Sequence, residues 1–76
     1  MIVKILGPGC NNCKKLEANT REALLELNID ASIEKVENME EIMAYGIMST
    51  PALVVDEQVK FSGKIPSVKE LKKYLQ

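Results

Sequence analysis

The sequence predicts an α/β fold in the order β-α-β-α-β-β-α, with a mixed sheet of four strands covered by helices on both faces. Three observations carry this. The chain opens on MIVKIL, from Met1 to Leu6, which is apolar on both faces except at Lys4, as in the central strand of a covered sheet. After Gly7, Pro8 and Gly9 the period switches to helical for a long stretch. Two later segments, beginning at Asn38 and Ser67, open with helix-capping residues followed by a glutamate.

The first helix is expected from Asn11 to about Asn28. Cys13, Leu16, Thr20, Ala23, Leu24 and Leu27 form one stripe, while Lys14, Lys15, Glu17, Arg21, Glu22 and Glu26 face elsewhere. Ile29 and Asp30 make a turn. Ala31 to Glu37 is a second strand with Ile33 and Val36 as its apolar members. Asn38, with Glu41 behind it, caps a short helix from Met39 to Tyr45, whose expected inner face is Met39, Ile42 and Met43. Gly46 suits the left-handed residue that follows such a helix. Ala52 to Val55 is the third strand, Asp56 to Gln58 a tight turn, and Val59 to Ser62 the fourth strand of a hairpin. Ser67 and Glu70 form a capping box for a last helix that buries Val68, Leu71 and Leu75, with Tyr74 at its edge. Strands separated by helices are expected to be parallel, through right-handed crossovers, and the last two antiparallel.

Length and composition narrow the function. At 76 residues the chain makes a single domain, residues 1–76, with a modest core. The hydrophobic fraction of 46% is that of a folded globular protein. Charged residues make up 28% with a formal net charge of -1, which gives nucleic acid and anionic membranes no electrostatic hold. Apolar runs such as Leu53 to Val55 are far too short to span a bilayer. Met1 leads directly into a strand, without a basic stretch or a small-residue cleavage site, so a cytoplasmic location is expected.

The chain has two cysteines and no histidine, and both cysteines lie in one CxxC, Cys10 and Cys13. A bridge across two residues closes so small a loop that it removes little entropy from the unfolded chain, so the pair is poorly placed as a structural staple. A redox or a metal role suits a reducing compartment better. Cys10 falls where the first strand gives way to the long helix. Unpaired N–H groups and the positive end of the helix dipole favour a thiolate there. Cys13 lies one turn later on the inward stripe, within bonding reach. Cys10 is thus the nucleophile toward a partner disulfide and Cys13 the thiol that resolves the mixed disulfide. Lys14 and Lys15 read as a solvated face.

The metal alternative is a soft-metal-binding module resembling a metallochaperone. A closed zinc site takes four ligands, which one chain cannot supply here, although two chains sharing four cysteines could. Small metallochaperones also carry a CxxC at a strand-to-helix turn, but in the order β-α-β-β-α-β. Residues 38–46, NMEEIMAYG, would then have to be strand, and so would the C-terminal segment, yet both have helical spacing. The redox reading is favoured, and no cofactor is required.

Pro51 stands directly before a strand, in GIMSTPAL from Gly46 to Leu53. Together with a CxxC at a strand-to-helix turn, this resembles the thioredoxin superfamily over the whole chain, in element order and in motifs. Without an additional N-terminal strand and helix, the layout looks more like glutaredoxin than full-length thioredoxin. It is most similar to the prokaryotic small redox-active disulfide proteins, which are glutaredoxin-sized and thioredoxin-like. The resemblance implies a thiol–disulfide oxidoreductase, an electron carrier of the protein disulfide reductase type. It also implies a cis Thr50–Pro51 bond beside the cysteines, with Thr50, Pro51 and Gly9 binding a substrate strand through backbone groups. Gly63 matches a family glycine before the last helix. Disulfide-containing proteins are the implied substrates and a flavoprotein resembling thioredoxin reductase the implied donor, with the chain acting as a monomer. A redox sensor using the same chemistry is equally compatible.

Departures from the family pattern fall at four places, the first being the absence of a Trp before the motif, where Pro8 and Gly9 stand. Asn11 and Asn12 replace the usual residues between the cysteines, where the dipeptide modulates the potential. Lys4 occupies the strand position of a buried acid in thioredoxins. It can lie beneath the site as a modulating group or carry its ammonium to the surface, the latter being expected. After Gly63 the chain reads KIPS, without the paired acids that glutaredoxins use on glutathione, which argues against glutathione as donor. Met48, in the loop before Thr50, is expected at the rim of the site.

Overall fold

The computed structural model describes residues 1–8 and 11–76. These form β1 (Ile2–Leu6), α1 (Asn11–Leu27), β2 (Ser32–Val36), α2 (Met39–Ala44), β3 (Ala52–Val55), β4 (Gln58–Ser62) and α3 (Val68–Leu75). β1 is apolar on both faces because it is an inner strand: the sheet order is β2-β1-β3-β4. Alternation along it divides the core in two. Val3 and Ile5 join Leu53, Val55 and Phe61 against Leu16, Ala23 and Leu24 of α1 and Leu71 and Leu75 of α3. Leu6, Val36, Ala52 and Val54 meet Ile42 of α2 and Ile47 on the other face. Helices therefore cover both faces, an α/β architecture with a mixed sheet.

β1 and β2 are parallel, with Ile5 beside Lys35 and Leu6 beside Val36. β3, however, runs antiparallel to β1, with Leu6 opposite Ala52, which corrects the expectation that helix-separated strands are all parallel. The length of α2 explains it. A helix of six residues spans about 9 Å, whereas a strand of five residues covers roughly 17 Å. Such a helix crosses the sheet but cannot carry the chain back to the strands' starting end. β3 therefore begins where β1 ends.

The capping signatures act as written. The Asn38 side chain accepts hydrogen bonds from the N–H groups of Glu40 (2.8 Å) and Glu41 (3.2 Å), and Ser67 and Glu70 form a reciprocal capping box. α1 ends on a signal the spacing did not show. Asn28 adopts a left-handed conformation (φ 57), and the N–H groups of Asn28 and Ile29 bond back to Leu25 and Leu24 at 3.1 and 3.0 Å. Ile29 thereby tucks onto the core rather than simply turning the chain. Buried Thr20 satisfies its hydroxyl by donating to the Leu16 carbonyl at 2.7 Å.

Two expectations about α2 need correction. Met39 and Met43 are 53% and 67% exposed, not core residues. So short a helix turns only one side chain, Ile42, fully into the sheet, and the residues after it, Tyr45 and Ile47, complete that core. At the other end of the sheet the hairpin closes on Asp56 and Glu57, both with positive φ (48 and 67), a two-residue turn whose twist matches its strands. The register of β4 slips opposite Leu53 and Val54 of β3, so that Phe61 faces Leu53, Val59 faces Val54, and Lys60 is the extra residue of a bulge. No helix is long and apolar enough to cross a membrane among the described residues.

The contrast between α2 and α3 is measurable in denaturant. Leu71 is fully buried, so Leu71→Ala is expected to cost about 2–5 kcal/mol of unfolding free energy, much of what a domain of this size has. Met43→Ala is expected to stay within about 0.5 kcal/mol of the parent.

Candidate active site

Cys13 occupies the first turn of α1 and is 6% exposed, the outcome of its place on the inward stripe. Its sulfur rests on the backbone just beyond β1. A Cβ built on Gly7 would overlap the Cys13 sulfur and lie 3.8 Å from the Thr50 Cβ, so this position admits no side chain. Gly7 is buried, and its N–H continues the β1–β2 ladder by donating to the Val36 carbonyl at 2.9 Å. The end of β1, the start of α1 and the loop entering β3 thus converge on one glycine. The sequence reading treated Gly7 only as a break in pattern. Its position, six residues before Cys13, was the available signal.

The loop before β3 supplies the second wall. The Thr50–Pro51 peptide bond is cis, Pro51 is buried and Thr50 half-buried. The Pro51 carbonyl accepts the Gly63 N–H at 2.8 Å. Gly63 has φ 73, and a Cβ there would come within 2.9 Å of the Ser49 Cβ, so left-handed backbone and close approach both require glycine. Met48 is 99% exposed. Asn11 and Asn12 are exposed as the first two residues of α1. Cys10 and Gly9, expected to act as nucleophile and substrate contact, lie outside the described residues.

Of the two placements open to Lys4, the one beneath the thiols is not the one it takes. Alternation sends it to the α2 face, so the sheet separates it from α1 and Cys13. Its ammonium donates to Glu57 Oε1 at 2.6 Å and to the Tyr45 hydroxyl at 2.8 Å. Glu57 first, then Tyr45, holds the Lys4 ammonium well above the usual lysine range, and Lys4 in turn lowers the Glu57 carboxyl. This cluster secures the hairpin turn at the opposite end of β1 from Gly7. On the thiol side β1 presents Val3 and Ile5, and Ile5 lines the pocket at Cys13.

A pocket of about 300 Å³ reaches Cys13, lined by Ile5, Gly7, Pro8, Lys14, Glu17, Lys35 and Glu37. Glu17 lies one helical turn beyond Cys13. Its Oε1 accepts from Lys35 Nζ at 2.9 Å and its Oε2 from Arg21 Nη2 at 2.8 Å, with the side chain only 15% exposed. Lys35, then Arg21, holds the Glu17 carboxyl below the ordinary range. By its spacing Glu17 only falls outside the apolar stripe of α1. Its spacing of four from Cys13 was the overlooked clue. Lys35 was harder to place, because Ile33 and Val36 lie on opposite faces of β2 and leave its orientation open. Among the described residues no group of three or more His, Cys, Asp or Glu could hold a metal ion.

Gly7→Ala is expected to displace the first turn of α1, lowering unfolding free energy by about 1–3 kcal/mol, with Gly7→Val worse. A thermal melt with titration of the Cys13 thiol checks this. A carboxyl lowered in the folded state stabilises the fold above its unfolded value of about 4.3, and that contribution fades as pH falls through the folded value. The stability gap between the parent and Glu17→Gln should therefore shrink between pH 7 and about pH 3, as followed by urea unfolding at each pH.

The segment expected to be strand in the metallochaperone order is the helix α2, and the chain ends in the helix α3. A family profile described as a thioredoxin domain matches residues 1–76. A thioredoxin of Methanothermobacter thermautotrophicus is 45% identical over 75 residues, covering 99% of this chain and 97% of that protein. A thioredoxin of Methanocaldococcus jannaschii is 40% identical over 75 residues, covering 99% of this chain and 86% of its own length. With the fold and the seat of Cys13 already in place, these matches identify the chain as a member of the thioredoxin family and a thiol–disulfide oxidoreductase.

Proposed function

We propose that Cys10 and Cys13 are the redox couple of this oxidoreductase and that its substrates are protein disulfides. The observation that carries this is the seat of Cys13, a buried thiol in the first turn of α1 against Gly7 and beside Thr50. Cys10 directly precedes Asn11, the first residue of α1, where the helix dipole favours a thiolate. That thiolate attacks one sulfur of the substrate disulfide and releases the other as a thiolate. Cys13, deprotonated, then attacks Cys10, expels the second substrate thiolate and leaves the Cys10–Cys13 disulfide, two electrons having passed to the substrate.

Thr50 and Pro51 form the rim against which an extended substrate segment pairs, as in strand addition, and Gly9 is the further residue assigned to substrate binding. Asn11 and Asn12 sit where they modulate the potential, whereas Lys4 acts on the hairpin turn instead of the thiols. A flavoprotein resembling thioredoxin reductase returns the couple to the dithiol, and the protein works as a monomer in the cytoplasm, where thiols are kept reduced. The relatives' shared description as thioredoxins supports disulfide substrates and a reductase donor.

Equilibration of metal-free protein in graded dithiothreitol buffers tests the proposal. A reversible two-electron transition, abolished by Cys13→Ser, is expected. Cys13→Ser should also accumulate mixed disulfides through Cys10. Failure to form a Cys10–Cys13 disulfide, with tight retention of Cu(I) or Zn(II) by the dithiol, would overturn the reading in favour of a metal-binding module.

A further inference from the structure

We infer that the Lys4–Tyr45–Glu57 triangle positions the substrate rim: by fixing the C-terminal end of α2 it holds the loop 46–51 in the arrangement in which Thr50 pairs with substrate, and so sets the affinity for protein disulfides. This rests on Thr50 and Pro51 being that rim. The three side chains close a ring of hydrogen bonds. The Lys4 ammonium donates to the Tyr45 hydroxyl at 2.8 Å and to Glu57 Oε1 at 2.6 Å, and the Tyr45 hydroxyl donates to Glu57 Oε2 at 3.2 Å. The ammonium also lies 5.5 Å from the centroid of the Tyr45 ring. Its side chain is only 20% exposed. Glu57 and Tyr45 keep Lys4 charged and Lys4 keeps Glu57 ionised, so the ring is intact at neutral pH. Its members come from β1, from the residue that ends α2 and from the β3–β4 turn.

α2 needs such a tie. It buries only Ile42, and beside it the sheet face opens into a groove of about 530 Å³ bordered by Lys4, Glu34, Glu41, Tyr45 and Glu57. Few buried apolar contacts hold the helix, which leaves its orientation to the polar tie at its end. Tyr45 is also where the chain leaves the helix. Its N–H bonds to the Ile42 carbonyl at 3.2 Å, the Gly46 N–H bonds to the Met43 carbonyl at 2.9 Å, and Gly46 turns left-handed (φ 77) into the loop. The far end of the loop is tied to the same hairpin, where the Pro51 carbonyl accepts from the Gly63 N–H at 2.8 Å and Ser49 lies close over Gly63. The loop is thus strung between the two ends of one hairpin, its turn at Glu57 and its exit at Gly63. A loop already ordered loses less freedom when a substrate segment pairs with it, so the tie at Glu57 acts on binding. Lys4, Tyr45 and Glu57 touch neither thiols nor substrate and are positioning residues.

The measurement is KM and kcat for reduction of insulin, with dithiothreitol as donor, beside the rate with hydroxyethyl disulfide, a small disulfide that has no segment to pair with the rim. Tyr45→Phe keeps the ring and removes only the hydroxyl, and Lys4→Met removes the ammonium. Each is expected to raise KM for insulin about three- to tenfold, with kcat, the hydroxyethyl disulfide rate and the midpoint in dithiothreitol buffers unchanged. The two substitutions together should raise KM no further than Lys4→Met alone, because they break one device. Lys72→Met, which removes the ion pair with Glu26 between α1 and α3, controls for a general loss of stability and should leave KM at the parental value. An unmoved KM in triangle variants whose melts show them folded would overturn the inference, as would an equal rise in Lys72→Met or an equal loss with the small disulfide. Thr50→Gln, which crowds the rim itself, separates the two levels of the argument. A KM raised there but not in the triangle variants sinks the triangle alone. A KM that Thr50→Gln does not move removes the rim on which the triangle's role rests.

Discussion

The contact between the Cys13 sulfur and the bare backbone of Gly7 is the constraint on which the site depends. It needs a strand that ends without a side chain, a helix that begins within a few residues, and a stripe that turns its first inward residue onto the strand's end. β1 meets the first condition because its ladder continues through the Gly7 N–H to Val36. α1 meets the third because Leu16, Thr20, Ala23 and Leu24 anchor the same face against the sheet. The sulfur is held by the packing of the whole helix, so its position is a property of the core as much as of the motif.

The brevity of α2 supplies the other half. A longer helix would return the chain to the start of the sheet and make β3 parallel to β1. With six residues, β3 enters antiparallel at Ala52 opposite Leu6, and Thr50 arrives beside Gly7. The two faces of β1 then divide their charges. Lys4 on the α2 face secures the hairpin turn through Glu57 and Tyr45, while Lys35 and Glu17 stand on the α1 face beside the thiol.

Element order and the CxxC were legible because they rest on periodicity and caps, which are local. Asn38 and Ser67 announced their helices, and the stripe from Cys13 to Leu24 is buried as its spacing predicts. The direction of β3 was not legible, since it depends on how far a helix reaches across a sheet. Met39 and Met43 were misjudged for a related reason: apolar residues at helical spacing do not say how many turns meet the core, and α2 offers one. Lys4 carried the right residue type for surfacing, but its face follows from the burial of Val3 and Ile5 around it. Glu17 looked like any solvated carboxylate because Lys35, its partner, lies far away in sequence and meets it only through the β1–β2 register.

The slipped register of β4 has a consequence away from the thiols. β2 and β4 are the outer strands, and their free margins are where a second polypeptide could extend the sheet. Lys60 kinks one margin as the bulged residue, and the other carries exposed Glu34 and Lys35. Any copy approaching either side meets a broken ladder or a charge that resists dehydration. Growth of the sheet into aggregates is thus opposed at both borders.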